Sequence, residues 1–323
     1  SNQKNLGMLK SSNLCSEITL ATNEERTAVC CLSSVNLEYY DLWSKIPAFI
    51  PDLVRMLDNV LQHFIDNAPE QMEKAKYSAM RERSIGLGAM GYHAYLQKNQ
   101  IPFESIGASA ANYKMFKHIK EDALQETRRL AVERGACPDD DSCEVRNAHL
   151  LAIAPNASSS IICGNTSPSI EPFRANAYTQ KTKSGSHLQK NKYLEVLLET
   201  KDANTEAVWR DIVSNKGSVQ HLEILSEDEK DIFKTAVEIN QSWVVEHAAQ
   251  RQEFVCQSQS VNLFFPPDVT KGDLHNVHML AWAKNLKTLY YLRSEAISRA
   301  DNVSNQVKRE VIFEQEDCLA CEG

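Results

Sequence analysis

The chain has 323 residues, 42% hydrophobic and 24% charged, a balance that supports a large core in one α/β domain or two smaller ones and excludes wholesale disorder and fibrous repeats. Its net charge of −8, with no concentrated lysine and arginine face, argues against a broad nucleic-acid surface, so an anionic ligand would need a local site. No apolar run approaches the ~20 residues of a membrane span, and "SNQKNLGMLK" lacks a signal-peptide apolar region, which reads as a cytoplasmic protein.

In chain order, residues 1–38 read as loop and strand, because "EITL" and "TAVCCLSSVNL" are short apolar, β-branched runs separated by the polar turn "ATNEER". "PDLVRMLDNVLQHFIDNA" carries apolar residues at Leu53, Met56, Leu57, Val60, Leu61 and Phe64, the stripe of an amphipathic helix with Pro51 near its start. A second helix is predicted from Gly88 to Gln97, and a third over "ASAANYKMFKHIKEDALQETRRLAVERG", ending at Gly135. Residues 149–154 read as a short buried strand, and "NAYTQKTKSG" as an exposed one. Residues 191–247 read as mostly helical, with Ser226 offering a capping box into "DEKDIFKTAVEINQSWVVEHAAQ". "SQSVNLFF" is a strand candidate, and "KGDLHNVHMLAWAKNLKTLYYLRSEA" reads as one helix of several turns, closed by Tyr290 and Tyr291. From about residue 301 the chain is polar and aperiodic, which predicts a mobile tail. Strands alternating with long helices predict an α/β architecture with parallel strands.

The nine cysteines are odd in number and sit in unlike settings, so they read as mostly reduced thiols rather than a disulfide framework. Gly86, Gly88 and Gly91 have the G-x-G-x-x-G spacing of a dinucleotide fold, but "MEKAKYSAMRERS" before them reads as a charged helix where a buried strand is required; close helix packing explains the glycines more simply. The run Pro155, Asn156, Ala157, Ser158, Ser159, Ser160 after a strand can turn several N–H and hydroxyl groups to one anion, or be an ordinary Ser-rich turn with a helix cap. Cys318-x-x-Cys321 has too few neighbouring ligands for a zinc site; as a tethered dithiol it could reach a pocket and exchange with a disulfide, or be an unused pair. In "SSNLCSEITL", alternate residues of an extended segment share a face, so Asn13, Cys15 and Glu17 could converge on one small ligand while Leu14 and Ile18 anchor the backbone. With no histidine nearby and a carboxylate that disfavours the thiolate, Cys15 is a poor ionic nucleophile, whereas a neutral thiol can still lose a hydrogen atom.

Taken together, "SNLCSEI", "VCCLSSVNL", "PNASSS" with "SPSIEPF", "QSQSVNLFF", "KTLYYLR" and the terminal "CLAC" resemble, in order and separation and from first residue to last, the large catalytic subunit of class I ribonucleotide reductase. The Cys-x-x-Cys tail points to the eukaryotic and large-phage branch. The resemblance implies the second half of a ten-stranded α/β barrel over residues 1–300, with helices packed outside and a central finger loop carrying the thiyl cysteine, followed by a flexible redox tail over 301–323. It implies that Cys15 becomes a transient thiyl radical that removes the 3′ hydrogen of a ribonucleoside diphosphate. Glu17 would be the general base on the 3′ hydroxyl, and Asn13 would hydrogen-bond the same region. Cys30 would supply reducing equivalents as water leaves C2′, with adjacent Cys31 the second choice. Ser12 and the loop Pro155, Asn156, Ala157, Ser158 and Ser159 would bind the substrate. Tyr290 and Tyr291 would relay the radical from a small subunit that holds the metal and radical cofactor; this chain would bind none, apart from magnesium that can accompany the diphosphate. Cys318 and Cys321 would re-reduce the active-site disulfide and be recharged by thioredoxin or glutaredoxin.

Members of that family run to more than twice this length. The absent N-terminal portion would hold the second cysteine of the reducible pair, the specificity loops, usually an ATP-cone domain, and the other half-barrel. Half a barrel leaves open strand edges, so the chain is expected to assemble with an N-terminal half. A first residue of Ser fits cleavage, protein splicing or a truncated piece alike. Two other readings stand beside this one: a catalytically silent assembly or regulatory half, and a cobalamin-dependent relative, which has no need of the tyrosine pair.

Overall fold

The structure is a computed structural model in which residues 8–182 and 185–294 are described. β1 (Cys31–Asn36) leads through a short turn into α1 (Tyr40–Trp43) and α2 (Phe49–Asn67). α2 forms as its apolar stripe predicts: Ile50, Val54, Leu57, Leu61 and Ile65 recur at three- and four-residue steps, and all are buried. α3 (Glu73–Glu82) stops at Arg83, whose φ of 46° is left-handed, and the wholly buried β2 (Ile85–Met90) follows. α4 (Tyr92–Lys98) begins after Gly91, and α5 (Ile106–Arg134) runs from Ser105, whose Oγ accepts the Ala108 N–H, to Gly135. α6 (Ala157–Ile162) is short and follows Asn156. β3 (Ala177–Thr182) and β4 (Gly185–Lys190) make an antiparallel hairpin. α7 (Lys192–Thr200), α8 (Glu206–Ser214), α9 (Glu227–Ile232) and α10 (Gln241–Gln252) lead to β5 (Leu263–Phe265), α11 (Lys271–Ala283) and β6 (Leu292–Ser294).

The main sheet is parallel, as expected. β1 pairs with β2, Cys31 opposite Ile85 and Asn36 opposite Met90. Leu87 bridges Leu151 and Ile153 bridges Gln259, both parallel, so residues 149–154 lie between β2 and residues 257–260. The chain continues from there into β5, which pairs in parallel with β6. α2 packs on β1, β2 and α5, and α10 packs on α5 and β5, enclosing one large apolar core. A smaller core around Trp209 joins Ala177 of the hairpin to Leu194, Leu198 and Ile212 on α7 and α8. Among the described residues no helix is long and apolar enough to cross a membrane.

Three expectations are corrected. Residues 88–90 are the end of strand β2, not the start of a helix; the segment before the glycines is helical as expected, in α3, and Gly86 and Gly88 lie within the strand rather than in a turn that follows one. Its glycines answer to sheet packing rather than helix packing: a Cβ on Gly86 would fall 2.4 Å from Leu32 Cδ2, and one on Gly88 2.6 Å from the Ala152 carbonyl oxygen. The long helix through the tyrosines ends at Ala283; Asn285 takes a left-handed φ of 56°, and Tyr290 and Tyr291 lie in extended chain leading into β6. The Tyr290 N–H donates to the Val261 carbonyl and the Leu263 N–H to the Tyr291 carbonyl, so a strand partner 29 residues away overrides local helix preference. The helix after Ser226 does form its capping box with Glu229, but it stops at Ile232 and α10 restarts at its own cap, Asn240. Between them the Ala236 N–H donates to the Phe173 carbonyl, and the Phe233 carbonyl accepts from Asn176 Nδ2.

Because Gly88 faces a fixed backbone oxygen, Gly88→Ala should lower stability by about 1–3 kcal/mol in urea titrations. Gly272→Ala in α11, where a Cβ meets nothing closer than 3.5 Å, should be neutral or slightly stabilising.

Candidate active site

The segment 13–18 is a tight loop. Asn13 Oδ1 accepts the Ile18 N–H at 3.0 Å, the Asn13 carbonyl accepts the Ser16 N–H at 3.0 Å, and Ser16 is left-handed with φ 67°. The three predicted side chains come together through this turn rather than by the alternation of an extended strand. Asn13 Nδ2 donates to Glu17 Oε2 at 2.9 Å, and Cys15 and Glu17 are buried while Asn13 is exposed. Leu14, expected to anchor the backbone, is instead 66% exposed, because the turn points it away from the packed side. Ser12 is exposed and its Oγ donates to the Asn13 carbonyl.

Two other segments clamp this loop. Ser260 Oγ donates to the Cys15 carbonyl at 2.5 Å and lies 3.3 Å from Glu17 Oε2, and the Ser258 N–H donates to the Glu17 carbonyl at 2.9 Å. Thr288 Oγ1 lies 3.0 Å from the Ser16 carbonyl and 2.5 Å from Ser258 Oγ, tying the loop to the tyrosine segment. The Tyr290 hydroxyl is 3.5 Å from Cys15 Sγ, and the Tyr290 and Tyr291 rings lie with centroids 4.0 Å apart. Burial, then the contacts with Cys15 and Tyr291, push the Tyr290 phenol well above its usual value, so it is a neutral phenol at physiological pH. Tyr291 is 43% exposed, with the Arg293 guanidinium over its ring. A surface ring, a second ring and a buried sulfur in sequential contact form a path along which a hydrogen atom or an electron with its proton can pass.

Cys30, at the edge of β1, is partly exposed as a residue, but burial raises its thiol well above the ordinary value, against a lowering by a hydrogen bond from Gln257. Pro155 and Asn156 are buried at the end of the 149–154 segment. Asn156 is left-handed with φ 55°, and its Nδ2 donates to the carbonyls of Ala89 and Ala154, holding the turn from which α6 starts. Ala157, Ser158 and Ser159 form the first turn of that helix; Ser159 Oγ donates to Asn156 Oδ1. Ala157 and Ser158 also line a cleft of about 620 Å³ with Thr166, Arg174, Lys190 and Lys192. Cys318, Cys321 and the tail from residue 301 lie outside the described residues.

Sequence reasoning missed Ser260, Thr288, Gln257, and the pair Glu171 and Asn262. Glu171 accepts from Asn262 Nδ2, and Asn262 Oδ1 accepts the Tyr291 backbone N–H at 3.0 Å. Burial raises the Glu171 carboxyl to about 7, partly offset by Arg174, Asn262 and Arg293. The available signal was a run of polar residues, "QSQSVN", in a segment that leads into a strand and is buried throughout, where polar side chains seek partners.

The family model for the ribonucleotide reductase barrel domain matches residues 1–144 and 141–292. The ribonucleoside-diphosphate reductase large subunit of Invertebrate iridescent virus 6 is 52% identical over 90% of this chain and 31% of the relative, and that of Invertebrate iridescent virus 3 is 48% identical over 99% of this chain and 52% of the relative. The solved class Id ribonucleotide reductase alpha subunit of Actinobacillus ureae superimposes with a TM-score of 0.85 at 40% identity, covering 90% of this chain and 54% of that one. The chain thus spans about a third to a half of the length of these relatives.

Removing the Ser260 hydroxyl leaves the Cys15 carbonyl and Glu17 short of a donor, so Ser260→Ala should cost about 1–3 kcal/mol in denaturant titrations. Glu171 gives a pH signature. An acid whose folded value lies above its unfolded one contributes its full stability below the unfolded value and loses it as pH rises through the folded value. Unfolding free energy should therefore fall by on the order of 3 kcal/mol between about pH 4.5 and about 7, and Glu171→Gln should remove that part of the slope.

Proposed function

The chain belongs to the ribonucleotide reductase large-subunit family, and on that premise we propose that it is the C-terminal part of a ribonucleoside-diphosphate reductase large subunit, active with an N-terminal half and a small radical-generating subunit. In this reading the parallel segments from β1 to β6 are the second half of a ten-stranded barrel, and residues 13–18 are its finger loop. The supporting observation is the contact of the Tyr290 hydroxyl with Cys15 Sγ, 3.5 Å apart, backed by the Tyr291 ring. A silent scaffold has no use for that contact, and a cobalamin-dependent enzyme does not need it.

The small subunit supplies the metal and radical cofactor. Tyr291 and then Tyr290 carry the oxidising equivalent inward, and Cys15 gives up its hydrogen atom to become a thiyl. The thiyl takes the 3′ hydrogen of the ribonucleotide, and Glu17, aligned by Asn13 and Ser260, accepts the 3′ hydroxyl proton. A proton from the pair formed by Cys30 and a second thiol of the N-terminal half lets the C2′ hydroxyl depart as water, a hydrogen atom from the pair goes to C2′, and the last electron goes to the C3′ carbonyl as Glu17 returns its proton to the oxygen. The pair has then lost two protons and two electrons and is joined in a disulfide, the hydrogen returns from Cys15 to C3′, and the radical retraces its path. Cys318 and Cys321 then exchange with that disulfide and are themselves reduced by thioredoxin or glutaredoxin. The first turn of α6 and the hydroxyls of Ser158 and Ser159 would hold the diphosphate. Residues 155–159 carry no carboxylate, so magnesium accompanying the substrate would be held by phosphate and water.

The test combines this chain with an N-terminal half, a small subunit and thioredoxin, and measures deoxynucleotide formation. Cys15→Ser and Tyr290→Phe should each reduce turnover to background, a loss of more than about a thousandfold. Turnover that survives Cys15→Ser would remove the core of the assignment.

A further inference from the structure

Cys31 opens β1 and Cys30 immediately precedes it, and among the sequence's features only the family resemblance favours Cys30. Strand alternation turns them to opposite faces. Cys31 packs against the main apolar core. Cys30 turns the other way, its sulfur occupying space left by Gly86: a Cβ there would lie 2.9 Å from Cys30 Sγ.

On that side the Cys30 sulfur accepts a hydrogen bond from Gln257, which is fully buried, while Cys31, Cys256 and the Glu17 carboxylate lie near enough to oppose its ionisation. Gln257 Oε1 accepts the Thr19 N–H at 3.2 Å, and Nε2 lies 3.2 Å from the Ile85 carbonyl and 3.2 Å from Cys30 Sγ. The orientation of the amide is fixed by its surroundings. The Thr19 N–H can only donate and the Ile85 carbonyl can only accept, so a flipped amide would lose both bonds, and the group facing the sulfur must be an N–H. The backbone of Gln257 is held as well, its N–H donating to the Leu151 carbonyl and its own carbonyl accepting from Lys287 Nζ.

We propose that Gln257 is a positioning residue that makes Cys30, rather than Cys31, the reducing thiol, by aiming one amide N–H at the Cys30 sulfur while its oxygen holds the Cys15-bearing loop through Thr19. The proposal deepens the reading given above and rests on it. A buried thiol resists ionisation, whereas the exchange by which Cys318 and Cys321 re-reduce the disulfide must release Cys30 as a thiolate. A directed N–H stabilises the anionic sulfur in a place where water cannot. The same side chain keeps Cys30 in a fixed relation to the loop that carries Cys15, so the two sulfurs do not drift apart.

The experiment uses the full chain and follows the pH dependence of iodoacetamide alkylation at Cys30 and Cys31, separated by fragment-ion mass spectrometry. Gln257→Leu should slow Cys30 at pH 8 by about tenfold or more, the effect of one unit in its ionisation, with Cys31 changed by less than about twofold. Gln257→Glu keeps the shape but turns an acceptor to the sulfur, so it should slow Cys30 at least as much and again spare Cys31. An unchanged Cys30, or equal changes at both thiols, in the Gln257→Glu chain overturns the proposal. Because alkylation needs no turnover, a failure of the underlying reading shows up separately, as Cys30→Ser retaining full activity in the reconstituted enzyme.

Discussion

The arrangement depends on one contact, the Tyr290 hydroxyl on the Cys15 sulfur, between residues 275 positions apart. Neither group could hold this geometry alone. Cys15 sits in a loop with a left-handed Ser16, a conformation that costs about 1–2 kcal/mol for a residue with a Cβ. Bonds from Ser260, Ser258 and Thr288 to the loop carbonyls offset that cost, and Thr288 lies in the chain that delivers Tyr290. The same hydroxyls that keep the loop folded keep the phenol against the thiol, so loop stability and the phenol–thiol contact are one property.

The segment 257–260 gives this site its length. Gln257 at one end meets Cys30 and Thr19, and Ser260 at the other meets Cys15 and Glu17. All four of these residues are polar and buried, which is tolerable only because each finds a partner in the loop, in β2 or in the helices behind. The parallel direction of the sheet also matters. It sets Asn156 and the start of α6 beyond the end of the 149–154 segment, where amides and hydroxyls are free of the ladder.

Helices with strong local signals were legible. The stripe of α2, the stop of α5 at Gly135 and the Ser226–Glu229 capping box follow from side chains within one or two turns of each other. β2 was not legible, because "IGLGAM" has no alternation and its glycines are required by Leu32 and Ala152, residues distant in sequence. The spacing of "AWAKNLKTLYYL" is helical, and the pairing of Tyr290 and Tyr291 with Val261 and Leu263 that draws them into extended chain leaves no trace in that stretch.

What the sequence determined by itself is chemistry. A thiol, an amide and a carboxylate within five residues, two adjacent tyrosines and a hydroxyl-rich turn name the groups, and their order along the chain names the family. Tertiary structure decided which of these groups touch. Cys15 meets Tyr290, Cys30 rather than Cys31 meets Gln257, and Glu171 reaches Tyr291 through Asn262, contacts between residues 29 to 275 positions apart. The physical reason is range: a side chain's reactivity is written in its own atoms, whereas its partner is set by the register of a sheet whose neighbouring strands come from distant parts of the chain.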